Sequence, residues 1–179
     1  MTVGGQKEML KRIAEALERL APVSSESAHL TMGDAFHWDG DRVSAIENFA
    51  PIPLELLTAI DDQKQQLLEN TQRLANGYAA HDVLLWGSRG MGKSALIKSV
   101  VRELDAAQSD MAVVEAAADH IESLPELFDR LGKTTRPFIL FIDDIGFEED
   151  SAAPRLLRSM LEGGATARPA NVRLYVTSN

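Results

Sequence analysis

The sequence predicts an α/β protein: a three-layer sandwich with a mostly parallel central sheet, preceded by a helical N-terminal region. Three observations carry that expectation. From Val83 onward, short apolar runs alternate with helical patterns, as strands joined by helical crossovers do. One of those runs, Phe138–Ile142, is apolar at every position, as a strand covered on both faces must be. A glycine-rich octapeptide, Gly87–Ser94, stands between the first run and the first helical pattern, where a strand must turn tightly into a helix.

Taken in order, residues 6–21 place Leu10, Ile13, Leu17 and Leu20 at helical spacing. That helix either lies on the body of the protein or docks a partner. Val23 to Asp41 is rich in Ser, Gly and Asp and reads as an irregular connector pinned by Phe36 and Trp38, with His29 and His37 as surface or packing residues. Residues 1–50 are therefore expected to be a helix plus connector, and 51–179 the core. Pro51 and Pro53 open a long helical pattern, Leu54–Leu74, which Asn76-Gly77 stops. Asp61-Asp62 should divide it, one aspartate capping the second half. Then come a short buried strand (83–86), a helix (94–107) with Leu96, Ile97, Val100, Val101 and Leu104 inward, and a strand (111–116). A helix (123–131) with a Ser123…Glu126 capping box precedes the strand 138–142. A helix over 151–162, stopped by Gly163-Gly164, and a strand over 172–176 complete the pattern.

Composition removes several function classes. Among 179 residues there is no cysteine, which excludes disulfides, thiolate catalysis and cysteine zinc sites. Eighteen Lys+Arg against 27 Asp+Glu give a net charge of −9, which disfavours tight nucleic-acid binding by bulk charge. The longest apolar run is far short of the ~20 residues of a membrane helix. The start, MTVGGQKEMLKR, has no apolar signal core. A cytoplasmic chain with no membrane partner is expected.

Gly87-Ser88-Arg89-Gly90-Met91-Gly92-Lys93-Ser94 satisfies G-x-x-x-x-G-K-[ST] in its required strand–loop–helix context. Gly87 and Gly92 permit positive φ, so that successive N–H groups, through Ala95, form an anion nest at the positive end of a helix. Lys93 would reach the β- and γ-phosphates of a nucleotide, and the Ser94 hydroxyl would ligate Mg²⁺. Arg89 is expected to face solvent. Fifty residues after Lys93, the apolar strand ends in Asp143-Asp144. In a P-loop protein such a strand is expected beside the P-loop strand, with Asp143 holding the Mg²⁺ shell and Asp144 orienting or deprotonating the attacking water. A turn or helix cap is the plainer alternative. Glu148 and Glu149 are either a longer substitute acid or a solvated run. Asn179, at the tip of the last strand, either reaches the γ-phosphate or lytic water or is an ordinary strand-end residue.

With these elements in order, the chain resembles an AAA+ ATPase. Gly87–Ser94 is similar to Walker A, Phe138–Asp144 to Walker B, and Arg173–Asn179 to the sensor 1 strand with Asn179 at its polar position. More specifically, it resembles a bacterial AAA+ family described as a domain of unknown function. Ala35-Phe36-His37-Trp38, Asn70-Thr71, Leu84-Leu85-Trp86-Gly87, Phe147-Glu148-Glu149, Leu161–Gly164, Ala167-Arg168-Pro169 and Asn171-Val172 carry that likeness. The resemblance implies binding and hydrolysis of ATP with Mg²⁺, adenine packed against Ile52–Ile60, and a homo-oligomeric ring or stack acting on a client. Most AAA+ proteins have a glutamate where Asp144 stands; initiator- and helicase-loader-like branches do not. The base is thus left among Asp144, Glu148 and Glu149. The resemblance further implies a fifth strand, an arginine finger and a lid, so the module is expected to be incomplete after Asn179. Three readings stay open: an ATP-hydrolysing remodeller of an unknown macromolecular client, a nucleotide-gated adaptor with little hydrolysis, and, more weakly, a small-molecule kinase. Direct DNA binding is possible by analogy but not favoured. No guanine-reading Asn-Lys-x-Asp is present, which favours ATP over GTP.

Overall fold

The computed structural model describes residues 30, 32–106, 109–146, 157–158 and 168–179. The predicted helix over 6–21, His29, Glu148, Glu149 and most of the predicted helix over 151–162 lie outside the described residues. The chain divides into two compact units, Met1–Met32 and Gly33–Asn179. The second unit contains everything that follows.

Its strands are β1 (Ala35–Trp38), β2 (Val43–Ala45), β3 (Val83–Trp86), β4 (Ala112–Ala116), β5 (Phe138–Ile142) and β6 (Val172–Ser178). They form one sheet in the order β2-β1-β4-β5-β6-β3. Every pairing is parallel except the β1–β2 hairpin. The helices are α1 (Asp61–Ala75), α2 (Lys93–Ala106) and α3 (Leu124–Leu131).

β5 lies between β4 and β6 and buries all five side chains, which explains its unbroken apolar sequence. Ile139 and Phe141 join Val113 and Tyr175 in a cluster with Leu67 and Leu74 of α1 and with Leu96, Ile97, Val100, Val101 and Leu104 of α2. All five inward residues predicted for α2 are buried there. Side chains alternate along a strand, so Phe138, Leu140 and Ile142 serve the opposite face. α3 covers that face: Trp38 Nε1 donates to Ser123 Oγ at 2.8 Å, and the Arg130 guanidinium lies 5.1 Å from the Trp38 ring centre. Three layers result.

Several expectations are corrected. β5 is not beside the phosphate-loop strand β3; β6 stands between them, because the last strand inserts rather than adding at an edge. β3 is an edge strand of the described sheet, so it is only half covered. Val83 and Leu85 pack inward, while Leu84 is 51% and Trp86 81% exposed. The connector is not irregular over 35–45. Phe36 and Trp38 are buried as predicted, but as alternate residues of β1 paired with β4. The Ser123…Glu126 capping box does not form; Ser123 Oγ donates to His120 O and accepts from Trp38. The division before α1 is present, but Ile60 is the N-cap and no side chain caps it. Asp61 instead pairs with Lys64 at 3.2 Å. α1 stops at Asn76, with Gly77 at φ +73°, as predicted.

The entry to β3 is tied to α1 and β6 by polar side chains. Asn70 accepts from His81 N (2.8 Å) and donates to His81 O (2.9 Å) and to Tyr175 Oη (2.9 Å). The Tyr175 hydroxyl also shares a 2.8 Å hydrogen bond with Thr71 Oγ1. Burial pushes this phenol above its ordinary value, and the bonds to Thr71 and Asn70 offset only part of the effect. Tyr175→Phe should cost about 1 kcal/mol near neutral pH. A raised folded pKa means that the stabilisation is complete below the unfolded value of about 10 and is lost as pH rises through the folded value. Urea unfolding of both proteins across that alkaline range should show the wild-type advantage shrinking; a constant difference would remove Tyr175 from the account.

Candidate functional site

β3 ends at Trp86 and α2 begins at Lys93, so six residues must reverse the chain direction above the sheet. Gly87, Gly90 and Gly92 do this with φ of +142°, +81° and +83°. At each of the three a Cβ would be strained by φ; at Gly92 it would come into ordinary contact with Leu57, 3.8 Å away. The Leu96 N–H bonds to Gly92 O at 2.8 Å, closing the first turn of α2 and leaving the preceding N–H groups at the positive end of the helix.

Three segments far apart in sequence meet at this turn. Lys93 Nζ, half-buried, donates to Gly87 O (2.7 Å), Ser88 O (3.1 Å) and Asn179 Oδ1 (2.8 Å). Ser94 Oγ donates to Asp143 Oδ1 at 2.5 Å, joining the start of α2 to the end of β5. Asn179 Nδ2 donates to Asp144 Oδ1. Asp144 takes φ +53°, a left-handed conformation that aspartate tolerates better than most residues. β6 holds this bend. Asp144 N donates to Thr177 Oγ1 (2.8 Å), Ile145 N to Thr177 O (2.9 Å), and Thr177 Oγ1 to Asp143 Oδ1.

These residues line a polar cavity of about 320 Å³, walled by Arg89, Gly90, Gly92, Lys93, Ser94, Ala95, Asp143, Asp144, Thr177 and Asn179. A second cavity of about 460 Å³ adjoins it and shares Gly92 and Lys93. Its walls are more apolar: Ile60, Leu84, Leu85, Trp86, Met91 and Leu96, with Gln63, Gly87 and Ser88.

The sequence-predicted residues therefore divide. Lys93, Asn179 and Asp144 form one hydrogen-bonded chain and Ser94 and Asp143 a second, both on the polar cavity, with Arg89, Gly90, Gly92 and Ala95 on its wall. Arg89 is exposed, as expected. Gly87, Ser88 and Met91 border the apolar cavity instead. Of the segment Ile52–Ile60, only Ile60 lines it. Residues 172–176 were predicted as the last strand, but β6 continues through Ser178, which brings Thr177 into the site. Sequence reasoning passed over Thr177. The available signal was a hydroxyl two residues before Asn179, on the same face of the strand.

Among the described residues, no group of three His, Cys, Asp or Glu could hold a metal ion alone, and no helix is long and apolar enough to cross a membrane. The chain's fold is similar to that of the Orc1 protein of Aeropyrum pernix, solved in complex with DNA. The identity is 19% over 75% of this chain and 44% of that one, with a TM-score of 0.53. Two structures of Thermotoga maritima RuvB also match. One, described as a Holliday junction branch migration motor, is 20% identical over 73% of this chain and 42% of that one (TM-score 0.45). The other, a single-residue variant, is 23% identical with the same coverage (TM-score 0.48). The chain spans less than half the length of each of these solved chains. The shared fold is that of AAA+ P-loop proteins, as the sequence predicts. No curated protein matches the chain. Residues 31–179 match the family described as Protein of unknown function (DUF815), and the chain belongs to that family.

Proposed function

We propose that this family member is the nucleotide-binding core of an AAA+ ATPase that binds ATP with Mg²⁺ and hydrolyses its β–γ phosphoanhydride. The observation that carries this is the meeting of Lys93, Ser94, Asp143, Asp144 and Asn179, from three segments, around one cavity at the N-terminus of α2. The donor set fits the ligand. Backbone N–H groups at a helix start favour phosphate. Lys93 neutralises its charge, exchanging the carbonyls of Gly87 and Ser88 for phosphate oxygens. Ser94 Oγ and the Asp143 carboxylate are hard oxygen donors of the kind Mg²⁺ takes alongside substrate phosphates. When bound, the ion neutralises charge on the β- and γ-phosphates. The adjoining apolar cavity takes the base, against Trp86 and Ile60.

Asp144 accepts a proton from water as the water oxygen attacks the γ-phosphorus and the bond to the β–γ bridging oxygen breaks, leaving ADP and phosphate. Asn179, bonded to both Lys93 and Asp144, orients that pair. Hydrolysis in a cytoplasmic bacterial homo-oligomer would drive remodelling of a macromolecular client. Direct DNA binding is not favoured, in view of the net charge of −9.

Calorimetric titration of ATP and ADP, with and without Mg²⁺, tests the site. Micromolar binding, tighter for ATP with Mg²⁺, is expected; no heat from a well-folded chain would sink the reading. One observation favours a second reading, a nucleotide-gated adaptor with slow turnover. Asp143 and Asp144 are the only carboxylates among the described residues lining the polar cavity, and Asp144 is short and tied to Asn179. Tight binding without phosphate release would select it.

A further inference from the structure

We infer that Thr177 is a positioning residue whose single hydroxyl sets both acids of the site, the metal-side Asp143 and the water-side Asp144. This rests on the nucleotide reading above and adds to it a role for a residue of the sensor 1-like strand other than its polar Asn179.

Thr177 is 1% exposed, whereas Asp143 and Asp144 lie on the exposed rim. Its Oγ1 accepts from Asp144 N at 2.8 Å and donates to Asp143 Oδ1. One hydroxyl has one proton, so accepting from Asp144 and donating to Asp143 fixes its rotor completely. Two consequences follow. A carboxylate beyond the end of a strand would otherwise rotate freely. Here Thr177 and Ser94 both donate to Oδ1, which sets the carboxylate plane and leaves Oδ2 as the oxygen that neither hydroxyl engages. The bond to Asp144 N, together with Ile145 N to Thr177 O, holds Asp144 at φ +53°. That bend directs its side chain to Asn179, just past the end of β6. The metal-side and water-side carboxylates are thus aligned by one buried group rather than by their own loop.

The test compares the gain in ATP affinity that Mg²⁺ confers, the ratio of Kd without and with the ion, in wild type, Thr177→Val and Thr177→Ser. Valine keeps the shape and strand preference of threonine and removes the hydroxyl. Partners behind a metal ligand typically account for about 10–100-fold in metal affinity or activity. Thr177→Val should therefore keep its magnesium-free ATP affinity within about threefold and lose about tenfold or more of the magnesium gain. Thr177→Ser should restore the gain. A purely structural hydroxyl would lower the unfolding temperature and leave the ratio alone. Should the valine variant fail to fold, Thr177→Ala gives the same comparison without a methyl beside Asp144. An unchanged ratio in the hydroxyl-free variant, or a serine variant as impaired as the valine one, overturns the inference while leaving the nucleotide site standing. Wild-type chain that binds no ATP overturns both.

Discussion

With Lys93 replaced by Ala, the chain should stay folded and lose about 10²–10⁴ of its ATP affinity, because two charge-assisted hydrogen bonds, to the β- and γ-phosphates, are worth about 1.5–3 kcal/mol each and every 1.4 kcal/mol is tenfold. The side chain stands at the first residue of α2 and points back over its own loop, where its acceptors are Gly87 O, Ser88 O and Asn179 Oδ1. Alanine is an excellent helix residue. The carbonyls it abandons lie at a half-buried and an exposed residue, where water can take the place of the ammonium. Loss of affinity with an unchanged unfolding temperature is therefore the expected signature, read by ATP titration and thermal melting on the same samples. Affinity within about threefold of wild type would mean that the nest of N–H groups binds phosphate unaided, or that phosphate binds elsewhere; a charge-assisted contact to phosphate could not be so weak.

Why this site was so legible, and its neighbourhood less so, follows from the range over which each feature is encoded. The turn from β3 into α2 is specified within about a dozen consecutive residues, by glycines where φ must be positive and by the apolar runs on either side. The burial of α2 and β5 was equally visible, since a five-residue apolar stripe and an all-apolar strand each state their surroundings. Strand order is a different matter. Nothing local in Val172–Ser178 says that it inserts between β3 and β5; that is decided by which faces pair once all strands exist. β1 failed to show for a related reason. Its four residues sit among Ser, Gly and Asp, and its two buried aromatics gain partners 85 residues away at Ser123 or across the sheet at β4. The same bond silenced the predicted capping box: Ser123 had the correct residue type for a cap, but its hydroxyl was already engaged. Thr177 was hidden because a threonine near the end of a strand is ordinary until the chain beyond β5 folds back over it.

Asp144→Asn should separate binding from turnover: phosphate release should fall by about 10²–10⁴, the usual worth of a general base, with ATP affinity within about threefold of wild type. The geometry makes this substitution unusually selective. Asn179 Nδ2 donates to Asp144 Oδ1, and an asparagine carbonyl accepts that bond equally well. The left-handed φ of +53° suits asparagine as well as aspartate, and the bond to Thr177 Oγ1 comes from the backbone N–H. Fold, bend and contact with Asn179 are all preserved; what disappears is a carboxylate able to take a proton. Removing one negative charge beside a phosphate site would, if anything, tighten ATP. The check is single-turnover phosphate release at saturating Mg²⁺-ATP, beside a titration of the same variant. A rate within twofold of wild type would strip Asp144 of the base role and pass it to Glu148 or Glu149. Asp144→Glu completes the argument by testing length. It moves the carboxylate one methylene farther into the cavity. If the short aspartate limits turnover, as the adaptor reading requires, release should quicken; if Asp144 is already placed by Thr177 and Asn179, the longer side chain should slow it.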